Sequence, residues 1–319
     1  MIDPILEVEG LSISIRLRKR WHRAVDGISF QIQRGEILAL VGESGCGKSI
    51  TALSILKLLP RQFLQIDEGR IQLSGRDLLK LTQREMRKLR GKEIAMIFQE
   101  PMTSLNPVFT VGDQIREIIQ IHSLARSKAA KDMAIEAMHH VGISAPLERF
   151  DHYPHQMSGG MRQRIMIAMA LACQPSVLIA DEPTTALDVT IQAQILELIV
   201  RLTNEHKMGV ILITHDLGVV FEVAQHVAVM YAGVIMELAE VNSLFKNPLH
   251  PYTQALYRSL PKTEVLRLQT IPGRVPPLDA VPPYCRFYDR CPLAHAQCKV
   301  GEPQLREVEP GHFVRCIKV

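Results

Sequence analysis

Short apolar runs recur over the first 240 residues, and the spacing within each run predicts its element. Ile28-Ser29-Phe30-Gln31-Ile32 alternates apolar and polar positions, which predicts a half-buried strand. Glu36–Val41 reads EILALV, a buried strand running into a glycine-rich turn. A helical pattern follows from about Gly47 to Leu59 and stops at Pro60. Ile71–Leu73 and Ile94–Phe98 are further strand candidates. From Val111 to Cys173 the pattern is mostly helical, with a break at Gly142–Ser144 and a loop over Tyr153–Gly160. Strands return at Val177–Ala180, Val210–Thr214 and Val227–Tyr231, with an amphipathic helix over Val189–Glu205 between the first two. Strands alternating with helices imply an α/β fold whose mostly parallel sheet is covered on both faces. The long helical insertion implies a separate subdomain.

Composition narrows the class. With 319 residues, 47% hydrophobic and 22% charged, the chain is an ordinary globular protein, which excludes disordered and collagen-like classes. Only 5% of residues are aromatic, with one Trp, which argues against a stacking platform for single-stranded nucleic acid. No apolar run is long enough for a transmembrane helix, and MIDPILEVEG lacks the basic-then-apolar pattern of a signal peptide. The expectation is a cytosolic chain, working at a membrane surface. The net charge of +4 is uneven: residues 1–240 hold 26 Lys+Arg against 27 Asp+Glu, and residues 241–319 hold 11 against 6. That last stretch also holds 11 of the 19 prolines and four of the six cysteines, so a domain boundary is expected near 240. A basic tail of this size reads as a solvated surface rather than a nucleic-acid face.

Three segments carry phosphate chemistry. Gly42-Glu43-Ser44-Gly45-Cys46-Gly47-Lys48-Ser49 matches G-x-x-x-x-G-K-[ST] between a predicted strand and a predicted helix. Its backbone N–H groups and the helix N-terminus suit phosphate oxygens. Lys48 would reach the β- and γ-phosphates, and Ser49 would hold Mg²⁺. Val177–Glu182 is an apolar strand ending in two carboxylates, as in a Walker B element. Asp181 would hold Mg²⁺ and Glu182 would polarise the attacking water. Ser158-Gly159-Gly160 opens a further helix as a second anion-binding nest. Two such nests in one chain make sense if each serves a different nucleotide face across a dimer.

On these residues the chain resembles the nucleotide-binding subunit of an ABC transporter. Met157-Ser158-Gly159-Gly160-Met161 is similar to the family's LSGGQ signature, departing from it at Met157 and Met161 but keeping the Ser and both glycines. Gln99 matches the Q-loop, Ala186-Leu187-Asp188 the D-loop and His215 the switch histidine. The resemblance implies a P-loop NTPase (RecA-like) core with an antiparallel β subdomain and an inserted α-helical subdomain. It gives residues 1–240 to the ATPase, with about 100–173 as the helical subdomain, and 241–319 to a Cys/Pro-rich C-terminal extension. It implies ATP contacts at Gly42, Ser44, Gly45, Cys46, Gly47, Lys48, Ser49, Ile50, Gln99, Ser158, Gly159, Gly160, Asp188 and His215. Glu182, His215, Gln99 and Lys48 would be catalytic, and Ser49, Gln99 and Asp181 would hold Mg²⁺. Trp21, within the basic run from Arg16 to Arg23, either stacks on adenine or packs as a loop residue. Two subunits, identical or paralogous, would close head-to-tail around two ATP molecules.

Phe98–Pro107 and His250-Pro251-Tyr252-Thr253-Gln254-Ala255-Leu256 resemble the oligopeptide, dipeptide and nickel permease branch. This implies an importer ATPase at the cytoplasmic face of the bacterial inner membrane, serving two transmembrane permease subunits and a separate substrate-binding protein. It implies no nucleic-acid contact and no direct peptide contact. Cys285, Cys291, Cys298 and Cys316 suit a Cys₄ metal site, because a cytosolic protein keeps its thiols reduced. Zn²⁺, a [4Fe–4S] cluster and unligated thiols all remain open on spacing, which matches neither the close pairs usual for zinc nor the ferredoxin runs. Resemblance to peptide-permease ATPases with a similar cysteine pattern favours [4Fe–4S]. Competing functions are a soluble ABC ATPase acting on nucleic acid or ribosomes, a nickel or other small-solute importer, and a P-loop kinase. One cassette, no sustained heptads and only 110 residues between Lys48 and Ser158 favour transport.

Overall fold

A computed structural model describes residues 3–99, 104–122, 124–185, 187–259 and 270–319. The chain forms two compact units, one from residues 1–32, 37–79 and 212–319, the other from 33–36 and 80–211. The predicted segments Glu100–Thr103 and Ala186 lie outside the described residues.

In the first unit, β1 (Leu6–Leu17), β2 (Arg20–Ile32), β4 (Leu64–Leu73) and β5 (Arg76–Asp77) form an antiparallel sheet in the order β2-β1-β4-β5. β2 is longer than its alternating segment predicts. It is an edge strand whose first half, Arg20 to Arg23, is exposed or half-buried, so its charged residues hide the strand from a hydrophobicity pattern. β3 (Ile37–Val41) is buried at every position and pairs in parallel with β9 (His226–Tyr231), as a strand covered on both faces must be. Helix α1 (Lys48–Ile55) follows the glycine-rich turn. It ends earlier than Pro60 would require, because Lys57 turns into the left-handed region at φ 50°.

The last hundred residues of this unit extend the other sheet, the one that holds β3 and β9. β10 (Val234–Glu240) pairs antiparallel with β9 on one side and with β12 (His312–Val314) on the other, and β11 (Arg306–Glu309) pairs with β12. Buried Glu237 on β10 accepts the N–H groups of Leu249 (2.8 Å) and His250 (2.9 Å) and faces His312 Nε2 at 2.8 Å. Tyr231, Tyr252 and Phe287 pack ring against ring beside it, with centroids 4.7–5.3 Å apart.

In the second unit, β6 (Ile94–Ile97) pairs in parallel with β7 (Val177–Asp181), again buried at every residue of β7. The insertion between them is helical: α2 (Val111–Ile121), α3 (Ser127–His140), α4 (Pro146–Arg149) and α5 (Gly159–Leu171). Helix α6 (Val189–His206) follows β7, with Asp188 capping its N-terminus through Oδ1 and the Ile191 N–H at 3.0 Å, and the fully buried strand β8 (Gly209–Thr214) comes next in the chain. No helix among the described residues is long and apolar enough to cross a membrane.

Candidate functional site

The glycine-rich turn is built by backbone conformation and by what lies beneath it. Gly42 sits at φ 151°, and a Cβ there would come 2.1 Å from the Met230 carbonyl oxygen. Gly47, at φ 108°, caps α1 against Val25 and Ala24. Only glycine fits both the angle and the space. The Gly233 N–H donates to the Cys46 carbonyl at 3.0 Å, tying the turn to the hairpin after β9. Lys48 is buried, and its ammonium donates to the carbonyls of Gly42 (2.7 Å) and Glu43 (3.2 Å). Those carbonyls hold the cation inside the loop it would serve. Burial pushes the Cys46 thiol up, which suits a packed small residue and not a reactive thiolate. Ser44, Gly45 and Ser49 are exposed and Ile50 half-buried.

In the second unit, β7 delivers Asp181 buried at its end, and Glu182 follows in the left-handed region at φ 47°. The strained backbone turns the Glu182 carboxylate toward Gln99, whose Nε2 donates to Oε2 at 2.8 Å. Thr185 Oγ1 donates to the same oxygen at 2.9 Å. The structure therefore joins two candidates that are 83 positions apart. Sequence reasoning missed Gln163, buried on α5, whose Nε2 donates to the Pro183 carbonyl at 2.5 Å. A buried amide two residues after the signature methionine is the only trace it leaves in the sequence. Ser158 is exposed and caps α5, its hydroxyl accepting the Met161 N–H at 3.3 Å. Gly159 lies against Leu187 Cδ2, and Gly160 lies so near Ile191 that a Cβ would come 2.8 Å from its Cγ2.

His215 stands exposed in the first unit, one residue before Asp216, which caps the next helix (Leu217–Val223). Trp21 is 42% exposed and stands on strand β2, not in the loop of the second reading. Cys285, Cys291, Cys298 and Cys316 all border one small cavity, together with His250, Phe287 and Tyr288. Burial raises the Cys285 thiol to about 11 and pushes Cys291 up as well. Among the described residues, no group of three or more His, Cys, Asp or Glu side chains is arranged to hold a metal ion.

A model of the ABC transporter family matches residues 25–185, and one of the oligopeptide/dipeptide transporter C-terminal region matches residues 236–298. The chain belongs to the ABC transporter family. This ABC ATPase is 53% identical to the probable peptide ABC transporter ATP-binding protein y4tR of Sinorhizobium fredii, over 98% of this chain and 95% of that one. It is 50% identical to the oligopeptide transport ATP-binding protein AppD of Bacillus subtilis, over 99% and 97%. The dipeptide transport ATP-binding protein DppD of Escherichia coli is 46% identical, over 98% and 96%. An ATP-binding cassette solved as a post-hydrolysis dimer with ADP and Pi superimposes with a TM-score of 0.66 at 25% identity, covering 74% of this chain and 98% of that one. The ABC ATPase thus carries the P-loop NTPase fold, with its antiparallel sheet and helical insertion.

Proposed function

We propose that this chain is the ATP-hydrolysing subunit of a bacterial ABC importer for oligopeptides or dipeptides. The observation that carries the substrate class is the match over residues 236–298, joined by full-length relatives named for peptide, oligopeptide and dipeptide transport. Within this reading, residues 1–240 are the ATPase, with the helical subdomain over about 100–173, and 241–319 form the extension.

Lys48 and the backbone N–H groups of Gly42–Ser49 bind the phosphates of ATP, and Trp21 stacks on the adenine. Glu182, held by Gln99 and Thr185, polarises the attacking water. By the family resemblance, Ser49, Gln99 and Asp181 would hold Mg²⁺, which when bound would offset charge on the phosphate oxygens. The side-chain and backbone donors of the glycine-rich turn suit the phosphates: the ammonium is already inside, aimed at carbonyls that phosphate oxygens would replace. Ser158, Gly159, Gly160 and Asp188 of one subunit face the ATP on the P-loop of a second ABC ATPase, and His215 completes the cage. The assembly works at the cytoplasmic face of the inner membrane with two permease subunits and a separate binding protein. The ATPase itself touches neither peptide nor nucleic acid.

The finer reading of the four thiols is a [4Fe–4S] cluster held by Cys285, Cys291, Cys298 and Cys316. Four thiols around one cavity support it. Zn²⁺ is the alternative load for the same four thiols. It would be structural or regulatory, since phosphoryl hydrolysis uses no electron. Iron analysis and the visible spectrum of anaerobically purified protein test it, and a colourless, iron-free sample overturns it.

For the ATPase, Glu182→Gln retains ATP binding and loses hydrolysis by about a hundredfold or more. Near-normal turnover would remove Glu182 from catalysis. Uptake of labelled di- and oligopeptides by cells with and without the gene tests the cargo.

A further inference from the structure

The second position of the glycine-rich turn is Glu43, a carboxylate in a loop that would receive a polyanion. A bare carboxylate there would repel phosphate oxygens, the more so in a partly desolvated site. The structure supplies a counter-charge from far along the chain. Arg290, its side chain 4% exposed, forms a two-point contact with Glu43: Nη1 to Oε2 at 2.5 Å and Nη2 to Oε1 at 2.9 Å. The guanidinium is itself fixed. Its Nε donates to the Pro272 carbonyl at 2.8 Å, Nη1 reaches the Tyr231 hydroxyl at 3.3 Å, and its plane lies over the Tyr231 ring. A second residue of the extension grips the same place, since the Tyr252 hydroxyl accepts the Glu43 N–H at 3.0 Å. Glu43 is thus held by both its backbone and its side chain, while its carbonyl accepts from Lys48.

We infer that Arg290 is a positioning residue for the nucleotide site: it neutralises Glu43 and fixes the backbone that cradles the phosphates. Tyr252 acts as its companion at the Glu43 N–H. This inference rests on the reading of Gly42–Ser49 as an ATP site. It gives the C-terminal extension a direct part in nucleotide affinity. A bidentate guanidinium–carboxylate pair is specific in geometry as well as charge, so lysine replaces it poorly.

The test measures Kd and the separate KM and kcat for Mg·ATP on the full-length chain and its variants, with thermal unfolding of each. Arg290→Ala is expected to raise Kd and KM about tenfold while kcat changes less than about threefold, as for a group acting on binding rather than on the chemical step. Arg290→Lys falls between it and the wild type. In a Glu43→Gln background, Arg290→Ala adds less than about twofold, because the charge it served is gone. Arg315→Ala is the structural comparator. It removes another buried arginine of the extension, one bonded to the Ile235 and Pro303 carbonyls, and lowers the Tm with KM unchanged. The inference is overturned if Arg290→Ala keeps the wild-type KM, if Arg315→Ala raises KM equally, or if the two changes at Glu43 and Arg290 simply multiply. Should Arg290→Ala not fold, Arg290→Lys and the Glu43→Gln background decide. A wild-type chain that binds no ATP would instead sink the reading of the loop.

Discussion

The glycine-rich turn and the signature turn both start helices, and both pair small residues with a hydroxyl, yet their glycines do different work. In the first, Gly42 and Gly47 take positive φ that other residues resist, and the loop closes over its own lysine. In the second, Gly159 and Gly160 have ordinary helical backbone, and Gly160 is small because Ile191 stands against it. One turn folds around its own lysine, with Ser44, Gly45 and Ser49 at the surface. The other is an exposed, conventionally capped helix start, finished as a fold but open as a binding face. A loop folded on its own lysine and an exposed helix start suit the two opposed faces of the proposed head-to-tail ATPase dimer.

Substitutions separate these two uses of glycine. Gly42→Ala should have the largest effect, about 3–5 kcal/mol lost in denaturant unfolding, since both the angle and the Met230 backbone oppose a methyl group. A change below about 1 kcal/mol would show that the loop relaxes easily and is not prebuilt. Gly160→Ala should cost about 1–2 kcal/mol, because the Cγ2 of a β-branched residue yields little. Ile191→Ala should recover much of that loss in the double variant, whereas no single side-chain deletion rescues Gly42→Ala. Ser158→Ala removes the hydroxyl that accepts the Met161 N–H and should cost about 1 kcal/mol by thermal unfolding. Gly159→Ala should move stability by less than about 0.5 kcal/mol, since its nearest neighbour is at ordinary contact distance. If the open face serves a partner's nucleotide, that same variant still slows ATP turnover. Full activity in it would detach Gly159 from the site.

Much of this was legible in the sequence, for physical reasons that differ by element. β3 and β7 announce themselves because strands buried on both faces must be apolar throughout. The P-loop is legible because a phosphate cradle constrains backbone angles, and those constrain residue type. The outer half of β2 was missed, since an edge strand with charged residues on its open side has no apolar period, and interior β1 was missed because register shifts between Val8 and Leu11 and between Leu11 and Ile13 break its alternation. β11 and β12 are too short to show one. The Gln99–Glu182 bond and the Arg290–Glu43 pair join residues 83 and 247 positions apart, and no local pattern encodes such meetings.

The first unit is assembled from the two ends of the chain, with residues 212–319 joining residues 1–32 and 37–79. On the ribosome its opening strands emerge long before the β10–β12 ladder that shares their unit exists. The second unit is made in one nearly continuous stretch and can close while synthesis continues. Until the final strand arrives, Glu237 lacks His312 and the outer edge of β10 lies bare. A message cut short near residue 300 would therefore yield a chain whose glycine-rich turn was translated first yet rests on an unfinished sheet, which suits early disposal by the cell's quality control.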